Sequence, residues 1–234
     1  MKHFPSLASA LVLATAFSAT ALAADPAKNA TATPVGPGWS AQVAPDGSSS
    51  IALDVQQTQD VNSVSKYFNE LKTLKGEFVQ TAADGKVMKG NFLMMRPGMF
   101  RFNYDRPSRQ LIISDGTYLA IQDPDVDSED RVALDQTPFR ILLGKDVDLM
   151  RDARIVEVQQ IGESLLLALE DKSPDATGRI TLIMSKTPDM QLKEWITTDA
   201  QGLDTRVQVA DVVRDEPVEK SKFVIKSVNN PFKQ

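Results

Sequence analysis

Short runs of alternating apolar and polar residues, separated by turn residues, occupy most of this chain beyond residue 76. Residues 100–104 alternate Phe, Arg, Phe, Asn, Tyr, and residues 206–209 alternate Arg, Val, Gln, Val. Ala-Asp-Gly at 83–85, Asp-Gly at 115–116 and Gln-Gly at 201–202 mark turns between such runs. Connections this short leave no room for parallel crossovers. The sequence therefore predicts an antiparallel meander of ten or eleven strands.

Two segments have helical periodicity instead. From Asp60 to Leu74, apolar residues recur at steps of three and four, and Gly76 follows where a left-handed cap would close a helix. Thr137 and Pro138 suit the start of a second, short helix over Phe139–Leu143, closed by Gly144. A long twisted sheet tends to curl or close. Helices over its concave face would enclose an apolar space.

The first 55 residues differ in composition from the rest. A basic Lys2, an apolar run to Leu22 and Ala21-Leu22-Ala23 predict a secretory signal peptide, residues 1–23, cut after Ala23. A membrane anchor is the alternative, but the run is short and rich in Ala and Ser. Residues 24–55 are rich in Pro, Gly, Ser and Thr and are predicted to be a disordered tether, with Trp39 either incidental or a latch. One domain is expected over residues 56–234.

Composition excludes several chemistries. The chain has no Cys, and its one His lies in the predicted signal peptide, so thiol nucleophiles, Ser-His-Asp triads and zinc or copper sites are not expected. Without Lys2, the mature chain has 25 Lys and Arg against 31 Asp and Glu, a formal charge of −6. This mild acidity argues against a nucleic-acid partner. Gly144-Lys145-Asp146 lacks the spacing of a phosphate-binding loop.

An acidic run lies between residues 123 and 130. Its Asp-x-Asp-x-Asp start resembles a calcium loop, but Ser128 and Leu134 stand where that loop needs Gly and Glu. A solvated hairpin is the favoured interpretation. Nothing in the spacing nominates a pair of catalytic carboxylates. No metal, no cofactor and no enzyme activity are expected.

An ordered series of short motifs resembles a known family. Phe-x-Gln at 78–80 follows the first helix; Gly-x-Phe at 90–92, Arg-Pro-Gly-Met-Phe-Arg-Phe-x-Tyr at 96–104 and Ser-Asp-Gly-x-x-Leu at 114–119 come next, and Thr-Pro-Phe at 137–139 ends the series. Together they resemble the periplasmic outer-membrane lipoprotein carriers of the LolA type over residues 58–232. The resemblance implies a mainly β (α+β) fold, an incomplete antiparallel β-barrel with a helical lid over an apolar cavity.

The resemblance also implies roles for particular residues. Arg96 would hold the lid shut through bonds to lid backbone, Phe100 would handle cargo or transporter, and residues 139–144 would form the lid. Phe102 stands where the family often has Trp, and Ala120 where it has an aromatic residue. The residues expected at the cargo site and lid are Arg96, Phe100, Phe102, Phe92, Met94, Ile112, Phe139, Ile141, Leu142, Leu143, Leu166 and Trp195.

The function implied is that of a soluble periplasmic chaperone. It would take triacylated lipoproteins from an inner-membrane ABC transporter, shield their acyl chains and deliver them to an outer-membrane acceptor, as a monomer. Because each buried methylene contributes about 0.8 kcal/mol, acyl chains need an apolar container to cross water. A periplasmic sensor of mislocalised lipoproteins or lipids is the alternative, and a carboxylate-based glycan hydrolase is a weaker one.

Overall fold

A computed structural model describes residues 50–173, 176, 178–226 and 228. Their main feature is one antiparallel sheet of eleven strands in the order β6-β5-β4-β3-β2-β1-β11-β10-β9-β8-β7. The predicted meander is confirmed, and β1 joins its two halves by pairing with both β2 and β11. The strands are β1 Thr73–Thr81, β2 Val87–Met95, β3 Met99–Tyr104, β4 Leu111–Asp115, β5 Tyr118–Asp123, β6 Ser128–Ala133, β7 Ala153–Ile161, β8 Ser164–Asp171, β9 Arg179–Ser185, β10 Gln191–Thr198 and β11 Asp204–Arg214.

The sheet curls but does not close, because its two outermost strands, β6 and β7, are not paired with each other. These strands are consecutive in sequence, so residues 134–152 cross the opening between them. This crossing segment contains a 3-10 turn at Leu134–Gln136 and two short helices, α2 Arg140–Leu143 and α3 Leu149–Asp152. The expected incomplete barrel with a helical lid is therefore the observed fold, and the lid is the connection between the two sheet edges.

The first helix, α1, covers one end of the curled sheet. It spans Val55–Glu70, and its N-cap Asp54 forms a capping box with Gln57. Lys186 of the β9–β10 turn binds the buried Asp60, and Arg214 of β11 lies over the ring of Tyr67 at 5.0 Å. These contacts fix α1 against the β7 to β11 half of the sheet.

Three predicted boundaries were wrong. The helix does not run from Asp60 to Leu74, because Asp54 caps it earlier and Leu74 already belongs to β1. Thr137 does not cap α2, since its hydroxyl donates to the carbonyl of Leu134 and closes the preceding turn. The end of the predicted tether, residues 50–54, lies against the domain, where the N–H of Ile51 donates to Ile155 in edge strand β7. The predicted signal peptide, Trp39 and the tether up to residue 49 lie outside the described residues.

Two glycines let aromatic rings lie flat on the concave face of the sheet. Gly76 pairs across strands with Phe92, and Gly90 pairs with Phe78. A Cβ at either position would come within 3.0 Å of the opposite ring, and at Gly90 it would also overlap the carbonyl of Asn103. Glycine is therefore required at these two positions, where the ring of the cross-strand partner packs directly on the backbone.

The outer face of β3 to β5 is covered by the chain that follows β11. There a 3-10 helix, Lys220–Phe223, contacts β3 and β4, and Arg101 donates to the carbonyl of Lys222. Phe223 is 1% exposed, and Ile113, which points to this outer face, is also 1% exposed. The C-terminal segment thus gives this half of the sheet a second apolar layer.

Replacing Phe223 with alanine should lower the free energy of unfolding by about 3–5 kcal/mol, because a buried aromatic ring is removed without a replacement. Val224→Ala is the matched control, since Val224 is 53% exposed, and it should change stability by about 0.5 kcal/mol or less. Urea denaturation of both variants measures the difference. Equal stabilities would show that the segment is not a part of the core.

Candidate functional site

An apolar cavity lies between the concave face of the sheet, helix α1 and the lid. The described residues that line it expose only apolar surface to it. The sheet supplies the walls, Phe68 of α1 lies at one side, and the lid supplies the roof. The lining residues are Phe68, Leu74, Phe92, Met94, Phe100, Phe102, Phe139, Leu142, Leu143, Ile180, Leu182, Leu192 and Trp195.

Phe102 is the centre of the aromatic wall. Its ring stacks on Phe92 at 5.6 Å and meets Phe100 and Trp195 edge-on at 6.0 and 5.9 Å. Phe100 in turn contacts Phe139 of the lid segment, with ring centroids 5.9 Å apart. The wall therefore continues from the β1–β6 half of the sheet to the β7–β11 half and up to the roof.

The cavity is small in this closed form. Its volume is about 80 Å³, whereas pockets that hold drug-sized ligands are roughly 300–1,000 Å³. An acyl chain therefore cannot be enclosed until the roof moves. Since the walls belong to hydrogen-bonded strands and the roof is a four-residue helix, the lid is the part whose displacement can enlarge the cavity.

Arg96, in the β2–β3 turn, binds the end of the lid helix. Its Nη2 donates to the carbonyl of Gly144 at 2.5 Å and to that of Lys145 at 3.4 Å. The N–H of Gly98 donates to Leu143, at 2.9 Å. Asn69 of α1 bonds both the N–H and the carbonyl of Val147. The C-terminal end of the lid is thus attached to the β2–β3 turn and to α1.

The environment of Arg96 is only partly favourable to its charge. Burial lowers the pKa of Arg96, and the nearby Asp146 carboxylate partly offsets that effect. Its Nη1 is buried with no hydrogen-bond partner among the described residues. An arginine stays protonated in spite of such a shift. The buried, unpartnered Nη1 costs free energy in the closed form and partly offsets the gain from the bonds that Nη2 donates.

Nine of the twelve residues expected from the sequence line the cavity or its roof, or bind the lid. Phe92, Met94, Phe100, Phe102 and Trp195 are in the wall. The roof contains three expected residues, Phe139, Leu142 and Leu143, and Arg96 binds the lid backbone.

Besides Arg96, three expected residues do not line the cavity. Leu166 is on the opposite face of β8 from the buried Leu165 and Leu167, because strand side chains alternate. Ile112 packs against the core beside the wall, and Ile141 is buried within the lid. The prediction was wrong for Leu166 because β8 has apolar residues on both faces, so the sequence did not show which of them face the inside of the sheet.

The sequence also left cavity residues unassigned. Phe68, Leu74, Ile180, Leu182 and Leu192 all line the cavity. Ile180 and Leu182 are two residues apart in β9, so they face the same side of the sheet. Only the order of the strands shows that this side faces the lid. No pattern in the sequence indicated that Asn69 contacts the lid.

The acidic run forms the turn between β5 and β6. Asp125 binds Arg109 and Glu129 binds Arg131. The hydrogen bond from the Arg109 side chain lowers the pKa of Asp125. Within the described ranges, no group of three or more acidic or imidazole side chains is arranged to hold a metal ion. The part of the chain that the structure describes also contains no helix long and apolar enough to cross a bilayer.

An open antiparallel barrel with an apolar cavity under a short helical roof defines this chain, by fold and site, as a protein built around an apolar binding space. The family model described as outer membrane lipoprotein carrier protein LolA matches residues 69–226. The chain belongs to this family, which confirms the resemblance in the sequence motifs.

Known proteins of similar sequence have the same description. Outer-membrane lipoprotein carrier proteins of Pseudomonas paraeruginosa and Pseudomonas syringae pv. syringae are each 28% identical, over 175 and 178 residues. The alignments cover 70% and 71% of this chain and 81% and 83% of those proteins. A solved LolA superfamily protein from Nitrosomonas europaea is 13% identical, with a TM-score of 0.39, over 70% of this chain and 97% of its own.

Arg96→Leu should loosen the lid. Hydrogen bonds from a charged donor contribute roughly 1.5–3 kcal/mol each, less where solvent reaches them. Amide exchange at Leu143 and Gly144 should therefore accelerate about tenfold or more, since about 1.4 kcal/mol is tenfold. Hydrogen exchange followed by NMR measures these amides. Arg109→Leu, which removes an exposed ion pair between the β3–β4 connection and the β5–β6 turn, is the control and should leave both rates unchanged.

Proposed function

We propose that this chain is a periplasmic carrier that shields the acyl chains of lipoproteins and moves them from the inner towards the outer membrane. The observation that carries the proposal is a cavity without polar lining, roofed by a segment that is attached at its ends rather than built into the sheet. Family membership supports the same role, because matched relatives are named outer-membrane lipoprotein carrier proteins.

The energetics explain why such a carrier is needed. Each methylene removed from water contributes about 0.8 kcal/mol, so a molecule with several acyl chains gains tens of kcal/mol, by order of magnitude, from an apolar enclosure. The aromatic and aliphatic lining offers that enclosure and no hydrogen-bonding groups that would select one chain over another. Recognition would therefore depend on apolar area, which suits cargo proteins that share only their lipid.

Loading and release need the lid to have two states. In the closed form the lid covers a cavity of about 80 Å³, and in the loaded form the acyl chains would hold the lid away from the aromatic wall. A ligand shifts such an equilibrium by its difference in affinity for the two states. Hydrogen bonds such as those that Arg96 donates to the carbonyls of Gly144 and Lys145 suit a closure that must be reversible.

The proposal includes the partners and the location. An inner-membrane ABC transporter would load the carrier, and an outer-membrane acceptor would unload it by higher affinity. The predicted signal peptide, residues 1–23, would direct export, and residues 24–49 would precede the folded part of a monomer. We propose a carrier rather than an enzyme, because the matched family and relatives are named as lipoprotein carriers.

The purified mature protein should release a radiolabelled triacylated lipoprotein from inner-membrane spheroplasts and keep it soluble. The measurement is labelled lipoprotein in the supernatant after centrifugation. Met94→Glu should reduce release at least tenfold, because a charge in the wall of the cavity opposes entry of an acyl chain. Absence of release by the folded wild-type protein, with the transporter present, contradicts the carrier function.

Leu93→Glu is the matched control for that variant. It lies next to Met94 on the outer face of β2, where Lys75 and Arg101 are its cross-strand neighbours. The new carboxylate would therefore be balanced by two cations, and release should equal that of the wild type. A periplasmic sensor, by contrast, would bind the lipoprotein without solubilising it, so the assay separates the two functions.

A further inference from the structure

An ion pair holds the N-terminal end of the lid helix, opposite to the end that Arg96 binds. Arg140, the first residue of α2, binds Asp171 at the end of β8 through both guanidinium edges, Nε to Oδ2 and Nη2 to Oδ1. The carboxylate of Asp171 is completely buried, whereas the Arg140 side chain is 37% exposed. The hydrogen bond to Asp171 raises the pKa of Arg140. The pair is bidentate, and this geometry gives Arg–carboxylate contacts their strength and direction.

The two arginines hold opposite ends of the same helix to opposite halves of the sheet. Arg96 belongs to the β2–β3 turn and binds the carbonyl of Gly144. Asp171 belongs to β8, three strands beyond β11 in the other half, and binds Arg140. Helix α2 is therefore bonded at one end to each half of the sheet, and its roof residues Leu142 and Leu143 lie between these two contacts.

We propose that Arg140 and Asp171 form a second lid latch, which positions the roof of the cavity and must break or pivot when cargo enters. The inference rests on the proposed carrier function and names two residues that regulate access to its site. Both are positioning residues, because they act through α2 and neither lines the apolar cavity.

Neighbouring charges on the same strand behave differently. Glu170, next to Asp171, binds Arg154 and Arg179. Those partners lie in β7 and β9, on either side of β8. This cluster therefore fastens strands to one another, while the Arg140–Asp171 pair fastens the lid to a strand. The two adjacent carboxylates allow a comparison of lid closure with general stability.

The test measures cavity access without cargo. The chain contains no Cys, so a single cysteine introduced at Leu182, in the cavity wall, reports lid opening by its rate of reaction with a thiol reagent. Leu167 is the cross-strand partner of Leu182 and is 0% exposed without lining the cavity. A cysteine at Leu167 therefore reports opening of the core. The ratio of the two rates isolates movement of the lid.

Asp171→Asn should raise this ratio at least tenfold, because the neutral amide cannot pair with both edges of the guanidinium. Arg140→Lys retains the charge but loses the fork, and should raise the ratio by an intermediate factor. Glu170→Gln should leave the ratio unchanged even if it lowers stability. If Asp171→Asn does not fold, the comparison of Arg140→Lys with Glu170→Gln decides the question in the same way.

An unchanged ratio in the folded Arg140 and Asp171 variants would overturn the latch, as would an equal rise in Glu170→Gln. Failure of the carrier function would be seen separately, because thiol labelling needs no lipoprotein. A wild-type protein that releases no lipoprotein from spheroplasts, together with a raised ratio in Asp171→Asn, would refute the carrier function and support the latch.

Discussion

The open seam between β6 and β7 is the constraint on which the rest of this structure depends. A curled sheet whose edges do not meet exposes one side of its interior, and that interior is lined with aromatic and aliphatic side chains. Apolar surface of this size must be covered. The chain covers it with residues 134–152, the connection between the two edge strands, so the same segment bridges the open seam and roofs the cavity.

This arrangement separates the rigid from the movable part of the site. Phe92, Phe100 and Phe102 are on strands that are paired on both sides. Helix α2 has four residues, too few to be stable without tertiary contacts. Its position therefore depends on Arg96, on the N–H of Gly98 and on Asp171. Breaking these few polar contacts can free the lid while the wall strands stay in place, because in the described residues no strand ladder includes the lid helix.

The sequence predicted most of the cavity wall and, through the family resemblance, the bond from Arg96 to the lid, but not the lid contacts of Asn69 and Asp171. Phe100, Phe102 and Phe92 alternate with polar residues, so their common face could be inferred. Leu166 was assigned wrongly because Leu165 to Leu167 are apolar at every position, and alternation then carries no information. The first helix was placed too late, since Leu74 fits both a helical step of three and the alternation of β1. The capping box of Asp54 and Gln57 was the local signal that would have corrected its start.

Side-chain alternation and short turns by themselves determined an antiparallel meander of about eleven strands, because both depend on residues that are neighbours in the chain. The absence of Cys, and of His beyond position 3, likewise needed no structure. Only the tertiary structure decided which strands remain unpaired and which carboxylate meets the lid. Arg140 and Asp171 are 31 residues apart, and Arg96 and Gly144 are 48 apart. Contacts at such separations arise from the curl of the whole sheet, which no local pattern encodes.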